Sequence, residues 1–312
     1  MSKKQNIDIP LNQCAFYKCA SKKRLAKILR VSLNELKNLG GIEAYNVFRQ
    51  PKNKAGFRTI YAPSEKLKAI QRRVKVLLQR IEKPEWVFSG KMGSCHIDNG
   101  AYHKDSRYLI AADIANFYDS CTREQVYSFF KFKMRTAPDV AEILTSISTL
   151  TLEDGTTLIP SGSPCSQLVS YFAYSDMFEE LQGLANRYGC KLSIYVDDIT
   201  ISSNNPISNP RNVEKQVNKI LHVYGHKIKW RKTKYYGSNT FRVITGVALK
   251  GNGDMLIPNN LGEKIIINMH DVLEGDNLKY PTVIGQIGAA RQIKPYVFPE
   301  VERVIQASIS EE

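Results

Sequence analysis

The stretch that decides the fold reads Leu192-Ser193-Ile194-Tyr195-Val196-Asp197-Asp198-Ile199-Thr200-Ile201-Ser202. Residues that favour β-strands stand on both sides of the two acids, which predicts two antiparallel strands with the acids at the tip of a tight hairpin. Two adjacent carboxylates repel each other unless a cation is present, and Mg²⁺ is a hard ion that prefers carboxylate oxygens. A solvated turn is the alternative for this pair taken alone, because short motifs also occur by chance.

A third acid, Asp113, ends a short apolar strand predicted at residues 108–114. Aromatic residues follow it, and the hairpin comes about 80 residues later, an order that is typical of the palm of a nucleotidyltransferase. Such carboxylates can bridge two Mg²⁺ ions roughly 4 Å apart, one activating a sugar hydroxyl and the other holding a triphosphate. The alternative for Asp113 is a helix N-cap.

Composition favours a nucleic-acid partner and excludes a membrane span. The 312 residues carry 44 Lys and Arg against 30 Asp and Glu, for a formal charge of +14, which indicates a polyanionic partner. No run of eighteen apolar residues occurs, and the N-terminus lacks an apolar signal core. The six cysteines form no Cys-x-x-Cys pair, so we expect reduced thiols, a cytoplasmic location and no structural zinc.

A basic helix is predicted at residues 65–83, where apolar residues recur at helical spacing. Its opposite face carries Lys66, Lys68, Arg72, Arg73 and Arg80, and it is either a solvated face or a surface for phosphates. Further helices are predicted near 122–133, 137–149 and 211–225, and a long one from Pro164 to about Arg187. A strand is expected around 241–249, with a mainly helical C-terminus after it. No repeat or flexible linker divides the chain.

Several motifs stand in the order that reverse transcriptases have them, and the chain resembles that family over roughly residues 50–250. They are a strand with Arg58, Asp113-Ile114-Ala115-Asn116-Phe117-Tyr118, Pro160-Ser161-Gly162-Ser163-Pro164, Tyr195-Val196-Asp197-Asp198, and Lys232. Ser161 departs from the family, which has glutamine there.

Two further segments resemble elements of bacterial retron reverse transcriptases. Asn99-Gly100-Ala101-Tyr102-His103 is similar to their Asn-Ala-x-x-His element, and Ile244-Thr245-Gly246 is similar to their Val-Thr-Gly element. Gly100 and Ile244 are the departures. The resemblance implies an α+β, right-hand fold with fingers, a palm built on an antiparallel sheet with helices, and a small, mainly helical thumb. It divides the chain into a helical extension (1–50), fingers (51–107), palm with part of the fingers (108–235) and a thumb or RNA-binding region (236–312).

The resemblance also implies roles for individual residues. Asp113, Asp197 and Asp198 would be the catalytic residues and, with the carbonyl of Ile114, the ligands of two Mg²⁺ ions. Nucleotide binding would fall to Arg58, Lys54, Gly162, Lys232 and Tyr118, whose ring would exclude a 2′-hydroxyl. Core packing is the alternative for Tyr118, and Lys229, Arg231 and Lys234 compete with Lys232.

RNA contacts are expected at the basic helix, the retron-like elements and the C-terminal region. The residues assigned to RNA binding are Asn99, His103, Arg72, Arg73, Thr245 and Arg291, with Lys279, Lys294 and Arg303 as further cations. The alternative for His103 is a structural histidine.

The function implied is that of a retron-type RNA-directed DNA polymerase. It would use dNTPs to copy a dedicated structured noncoding RNA, from an RNA 2′-hydroxyl, into branched msDNA, in anti-phage defence with a separately encoded effector. The rivals are another bacterial defence or diversity-generating reverse transcriptase, and a catalytically idle RNA-binding scaffold or antitoxin.

Overall fold

The structure, a computed structural model, describes residues 8–37, 42–51 and 56–299. Within these ranges the strands are β1 (Tyr45–Pro51), β2 (Phe57–Pro63), β3 (Tyr108–Asp113), β4 (Leu150–Thr151), β5 (Thr157–Leu158), β6 (Lys191–Tyr195), β7 (Asp198–Ser203), β8 (Lys234–Tyr236), β9 (Arg242–Ile244), β10 (Val247–Leu249) and β11 (Met255–Leu256). The helices are α1 (Lys22–Leu29), α2 (Leu33–Lys37), α3 (Glu65–Gln79), α4 (His96–Tyr102), α5 (Phe117–Ser120), α6 (Arg123–Ser128), α7 (Pro138–Ser148), α8 (Ser166–Ala173), α9 (Ser175–Arg187), α10 (Pro210–Val223), α11 (Asn259–Leu273) and α12 (Tyr280–Ile293). The mixed α+β class and the antiparallel sheets agree with the sequence prediction.

A central antiparallel sheet with the strand order β6-β7-β3-β8 organises the fold. Side chains alternate between its two faces because successive residues of a strand point in opposite directions. One face is apolar and includes Ile110, Ile199 and Ile201, which are buried. The other face carries Asp113, Asp198, Thr200 and Ser202, together with buried Leu109.

Helices cover the apolar face of this sheet. α9 contacts β6, and α10 contacts both α9 and β3. α10 buries Val213, Val217 and Leu221, which recur every four residues and therefore lie along one side of the helix. This packing covers the apolar face of the sheet, and Asp113 and Asp198 lie on the opposite face.

The basic helix predicted at residues 65–83 is confirmed as α3. The Ser64 side chain accepts a hydrogen bond from the Leu67 backbone N–H and caps its N-terminus. Leu67, Ile70, Val74 and Leu78 are buried along one side. α3 follows the exposed hairpin of β1 and β2, whose strands pair from Tyr45 opposite Pro63 to Pro51 opposite Phe57.

Two predicted elements are each interrupted. The helix expected from Pro164 to Arg187 is broken at Tyr174 into α8 and α9. The strand expected around 241–249 is a hairpin of β9 and β10, because Thr245 and Gly246 adopt positive φ angles of 44° and 83° and reverse the chain. α11 and α12 then pack on each other around Ile265, Val283 and Ile287.

All six cysteines are free, as expected. Among the described residues, no helix is both long enough and apolar enough to cross a membrane.

Candidate active site

The two adjacent acids lie at a tight turn between β6 and β7, as the sequence predicts. Tyr195 pairs with Asp198, so Val196 and Asp197 form a two-residue turn and Asp198 is the first residue of β7. Val196 has φ 59°, which is unfavourable for a β-branched residue and marks local backbone strain. The Asp197 carbonyl accepts a hydrogen bond from the Ile114 N–H at 2.9 Å, which ties the turn to the end of β3.

Asp113 faces this turn from the neighbouring strand. It lies directly opposite Asp198 in the pairing of β3 and β7, and it is only 4 % exposed. Burial, together with the charges of Asp197 and Asp113, raises the pKa of Asp198 to about 7. Burial, followed by the charge of Asp113, also raises the pKa of Asp197. Three carboxylates thus share one low-dielectric site.

Two lysines in the segment before β8 reach the Asp113 carboxylate. The Lys232 ammonium donates to Oδ2 of Asp113, and the Lys229 ammonium lies 3.9 Å from Oδ1. Burial lowers the pKa of Lys232, but the hydrogen bond to Asp113 and the charges of the three acids outweigh it, so the pKa is raised. The backbone N–H of Lys229 donates to the Asp113 carbonyl at 2.7 Å, which fixes this segment against β3.

The donor set fits a divalent cation. Oδ1 of Asp113 is buried and accepts no hydrogen bond in the structure, although a buried carboxylate oxygen normally has a partner. Asp197 and Asp198 supply further hard oxygen ligands beside it, which is the chemistry that Mg²⁺ prefers. The Ile114 carbonyl is the backbone oxygen next to Asp113, and its role as a further ligand stays a prediction.

Tyr118 lies beside the acids and contacts the loop before α8. Its ring is half-buried and stacks on Phe117, with 5.8 Å between the ring centroids. Burial raises the pKa of Tyr118, and the charge of nearby Asp197 adds to the effect. Its backbone carbonyl accepts a hydrogen bond from the Ile159 N–H at 3.0 Å. Phe117 is the fully packed member of the pair, at 4 % exposure.

Gly162 packs closely against the backbone of β2. A Cβ atom on this residue would lie 2.5 Å from the carbonyl oxygen of Tyr61 in β2. The sequence predicts a glycine that gives room to a nucleotide, whereas the structure shows one that lets the loop pack against the β1–β2 hairpin.

Of the cations predicted to bind the nucleotide, Lys232 lies beside the acids, whereas Arg58 bonds within its own hairpin. Arg58 is exposed on β2, and its guanidinium donates from Nε and Nη2 to Oε1 of Gln50 at 3.1 and 2.8 Å. Lys54 lies outside the described residues. Among the described residues, the β1–β2 hairpin contacts the loop at Gly162.

The two retron-like elements contact each other. The Asn99 amide donates to Oγ1 of Thr245 at 3.2 Å, and that hydroxyl donates to the His96 carbonyl at 3.0 Å. Asn99 is fully buried, so its amide holds α4 against the β9–β10 turn. Gly100 is required at the same contact, because a Cβ atom there would lie 2.8 Å from Cβ of Val247.

His103 is a structural residue in this conformation. It has 0 % exposure, and its Nδ1 and Nε2 lie 2.6 and 2.7 Å from the hydroxyls of Ser202 and Ser193. Burial, with the charges of Lys191 and Arg242, lowers its pKa to about 3. The expectation of direct RNA contact at His103 and Asn99 is therefore corrected, because neither side chain reaches the surface.

Ser193 and Ser202, the buried partners of His103, are positions that the sequence does not single out. Both alternate with apolar residues in β6 and β7 and lie on the same face as Asp198. That alternation indicates that the two serines have hydrogen-bond partners, because a polar residue on a buried face needs one.

The predicted RNA-binding arginines lie on other elements. Arg72 is exposed on α3, whereas the Arg73 Nε donates to the Ile28 carbonyl of α1 at 3.0 Å. The Arg291 guanidinium donates to the carbonyls of Val297 and Phe298. Arg73 and Arg291 thus have local structural partners.

Comparison with known proteins gives a consistent result. A family model described as "Reverse transcriptase (RNA-dependent DNA polymerase)" matches residues 50–248. Retron Se72 reverse transcriptase of Salmonella heidelberg (strain 579083-10) is 32% identical over 179 residues, covering 56% of this chain and 46% of the relative. Retron Ec83 reverse transcriptase of Escherichia coli is 26% identical over 271 residues, covering 83% of this chain and 86% of the relative.

A third relative, retron Ec86 reverse transcriptase of Escherichia coli, is 25% identical and covers 62% of this chain and 58% of its own. The chain thus spans about half the length of retron Se72 reverse transcriptase and most of the length of retron Ec83 reverse transcriptase. Apo telomerase from Candida Tropicalis aligns over 67% of this chain and 46% of its own, with a TM-score of 0.48 and 13% identity. The chain belongs to the reverse transcriptase (RNA-dependent DNA polymerase) family, and within it to the reverse transcriptases of bacterial retrons.

Proposed function

We propose that the protein is an RNA-directed DNA polymerase of the retron type, which copies a structured noncoding RNA into DNA. The observation that carries this proposal is the convergence of Asp113, Asp197 and Asp198 around the unsatisfied Oδ1 of Asp113. A buried cluster of mutually repelling acids is unfavourable by itself and is explained by a bound divalent cation.

The three acids, with the Ile114 carbonyl, would hold two Mg²⁺ ions. When bound, Mg²⁺ lowers the pKa of the attacking hydroxyl and neutralises the charge on the leaving pyrophosphate. Lys232, already beside Asp113, is placed to meet a phosphate oxygen or to donate a proton to it. Lys229, 3.9 Å from the other oxygen of the same carboxylate, adds a second positive charge.

The incoming nucleotide would bind between this cluster and the β1–β2 hairpin. Tyr118 would press on C2′ of the sugar and exclude a 2′-hydroxyl, and the loop at Gly162 would form one wall. Arg58 and Lys54 would reach the triphosphate from the hairpin, for which Arg58 must leave its partner Gln50. Breaking this hydrogen bond costs little free energy, because both side chains are exposed and water can replace the partner.

The central sheet and its helices would then be the palm, β1, β2 and α3 part of the fingers, and the C-terminal helices α11 and α12 the thumb. The formal charge of +14 supports a nucleic-acid substrate throughout. Exposed Arg72 would contact the RNA directly, whereas Asn99 and Thr245 would act by holding α4 on the β9–β10 turn.

We further propose that the RNA serves as both template and primer, with synthesis from a 2′-hydroxyl giving branched msDNA. The similarity to retron reverse transcriptases over most of the chain supports this. The same similarity supports a role in anti-phage defence, with a separately encoded effector protein.

The test is to purify the protein from its native locus and treat the bound nucleic acid with RNase and with a debranching enzyme. A short DNA whose mobility shifts on debranching is the expected result. RNA without DNA, despite added dNTPs and Mg²⁺, would favour an idle scaffold instead. Asp197→Asn protein is the matched control, since it should bind the RNA and make no DNA.

A further inference from the structure

We propose that a stacking platform for single-stranded RNA lies at the β8 edge of the central sheet. The Trp230 platform consists of Arg211, Trp230, Arg231 and Tyr235, on the side of the sheet that α10 covers. The proposal rests on the proposed function in one respect: the single strand that it binds is the RNA template before it is copied.

Trp230 is the centre of this surface. Its indole is 41% exposed, although Trp is a residue that proteins usually bury for the most part. The Arg211 guanidinium lies over the ring, 4.4 Å from its centroid. An aromatic ring that is held by a cation and still open to solvent is suited to stack on a base.

The ring is held in place by a chain of contacts. Arg211 is the second residue of α10, and its Nη1 donates to Oε2 of Glu214 at 2.9 Å. The Glu214 side chain is 8% exposed, so its carboxylate is a nearly fixed anchor for the guanidinium. A ring fixed before binding loses little conformational freedom when a base stacks on it.

The surrounding charge suits a phosphate backbone. Residues 227–234 contain five cations and no acid. Lys229 and Lys232 face Asp113, whereas Lys227, Arg231 and Lys234 are exposed and have no ion pair within the described part of the chain. A second exposed aromatic, Tyr235, is 40% exposed on β8, the edge strand of the sheet.

Unpaired RNA is the ligand that uses all of these groups. A base must be unstacked to pack against Trp230, which a duplex does not offer, whereas cations alone would bind duplex and single strand alike. The segment also joins the candidate active site, because the Lys229 N–H is bonded to the Asp113 carbonyl. A template strand lying there would be next to the metal-binding acids.

The binding test uses fluorescence anisotropy of a labelled, unstructured RNA of twelve or so nucleotides and of a hairpin duplex of equal charge. Trp230→Ala should weaken single-strand binding about tenfold, whereas Trp230→Phe should retain most of it, because stacking needs only an aromatic face. Arg211→Met, which frees the ring without removing it, should weaken binding about threefold. Phe132→Ala is the matched control: it removes a 67% exposed aromatic between Lys131 and Lys133, and it should change nothing.

Salt dependence separates stacking from charge. Trp230→Ala should leave the slope of log affinity against log salt unchanged, whereas Arg231→Gln should reduce it by about 0.7, the value for one phosphate contact on a single strand. Equal weakening of single-strand and duplex binding by Trp230→Ala, or unchanged single-strand binding, would overturn the platform. So would an equal loss in Phe132→Ala protein.

The outcome is independent of the proposed polymerase activity. DNA synthesis on a primed template is measured separately with wild-type protein. Wild-type protein that binds single-stranded RNA through Trp230 but makes no DNA would overturn the proposed function and leave the platform standing. Wild-type protein that makes DNA, with RNA binding that does not depend on Trp230, would overturn the platform and leave the proposed function standing.

Discussion

Asp113 and Asp198 lie directly opposite each other in the antiparallel pairing of β3 and β7. Opposed residues on one face of such a pair have Cβ atoms about 5 Å apart, so the two carboxylates cannot avoid each other. Asp197 joins them from the turn, and its carbonyl is tied to Ile114. The backbone therefore imposes a charge repulsion that Lys229 and Lys232 offset in part at Asp113 and that protonation or a bound metal cation would relieve further.

Removing one acid is expected to abolish DNA synthesis and to stabilise the metal-free protein. The pKa of an Asp in an unfolded chain is about 3.9, whereas the pKa of Asp198 in the folded protein is about 7. The contribution of Asp198 to the stability of the metal-free protein should therefore fall as the pH rises from about 4 to about 7. Asp198→Asn should remove that fall and, at pH 8, raise the free energy of unfolding by on the order of 1–2 kcal/mol, a figure reduced by solvent screening because Asp198 is only partly buried.

Thermal unfolding with and without Mg²⁺ provides the measurement. Mg²⁺ should raise the melting temperature of wild-type protein and have little effect on Asp198→Asn protein. An equal Mg²⁺ response in the two proteins would contradict the assignment of Asp198 as a metal ligand.

The Tyr118 ring is expected to select deoxyribonucleotides. Tyr118→Ala should raise incorporation of ribonucleotides relative to deoxyribonucleotides by about tenfold or more, because the wall against a 2′-hydroxyl is removed. Single-nucleotide incorporation with each dNTP and its matching rNTP measures the ratio. Phe117→Leu is the control, since it alters the adjacent core residue and should leave the ratio unchanged.

Short-range patterns in the sequence account for much of the candidate site. The alternation around Asp197 and Asp198 predicts the β6–β7 hairpin, and the apolar run before Asp113 predicts β3. The pairing of β3 with β7, which brings the acids together, was suggested by the order of motifs rather than by any local signal. The side-chain partners of the acids, Lys229 and Lys232, depend on where residues 227–232 return to β3.

Other features depend on packing that no local pattern encodes. The break at Tyr174 between α8 and α9 falls within a sequence that is helical by its spacing alone. The contact of Gly162 with Tyr61 joins segments 101 residues apart, and His103 finds its serines in strands 90 and 99 residues away. A sequence shows that such residues are unusual for their surroundings but not what they touch.

His103 is expected to make the protein sensitive to acid. An unfolded histidine binds a proton near pH 6.5, whereas buried His103 stays neutral to about pH 3. Its contribution to stability is therefore complete above pH 6.5 and is lost as the pH falls towards 3, by up to about 4 kcal/mol. His103→Gln should lower stability at pH 7, where the two serines lose an imidazole partner, and should flatten the decline below pH 6.5.

Chemical denaturation of the two proteins at several pH values isolates this effect. His226 also has a pKa lowered by burial, to about 4, but it is present in both proteins and cancels in the difference. Parallel pH profiles for wild-type and His103→Gln protein would contradict the burial of a neutral imidazole at His103.

The contact between Gly100 and Val247 is expected to explain why this chain departs from the alanine of the retron-like element. A Cβ atom on residue 100 would lie 2.8 Å from Cβ of Val247 and 3.1 Å from both of its methyl carbons. Val247 is fully buried and cannot turn away. Gly100→Ala should therefore destabilise the protein by roughly 1–3 kcal/mol through overpacking.

Val247→Ala removes both methyl groups and gives the new side chain room to shift. The double variant should be more stable than the sum of the two single effects predicts, by on the order of 1 kcal/mol, as measured by denaturant unfolding of all four proteins. Gly183→Ala is the control, because a Cβ atom there would meet nothing within 4 Å. Strictly additive effects of Gly100→Ala and Val247→Ala would mean that α4 and the β9–β10 turn do not press on each other at this point.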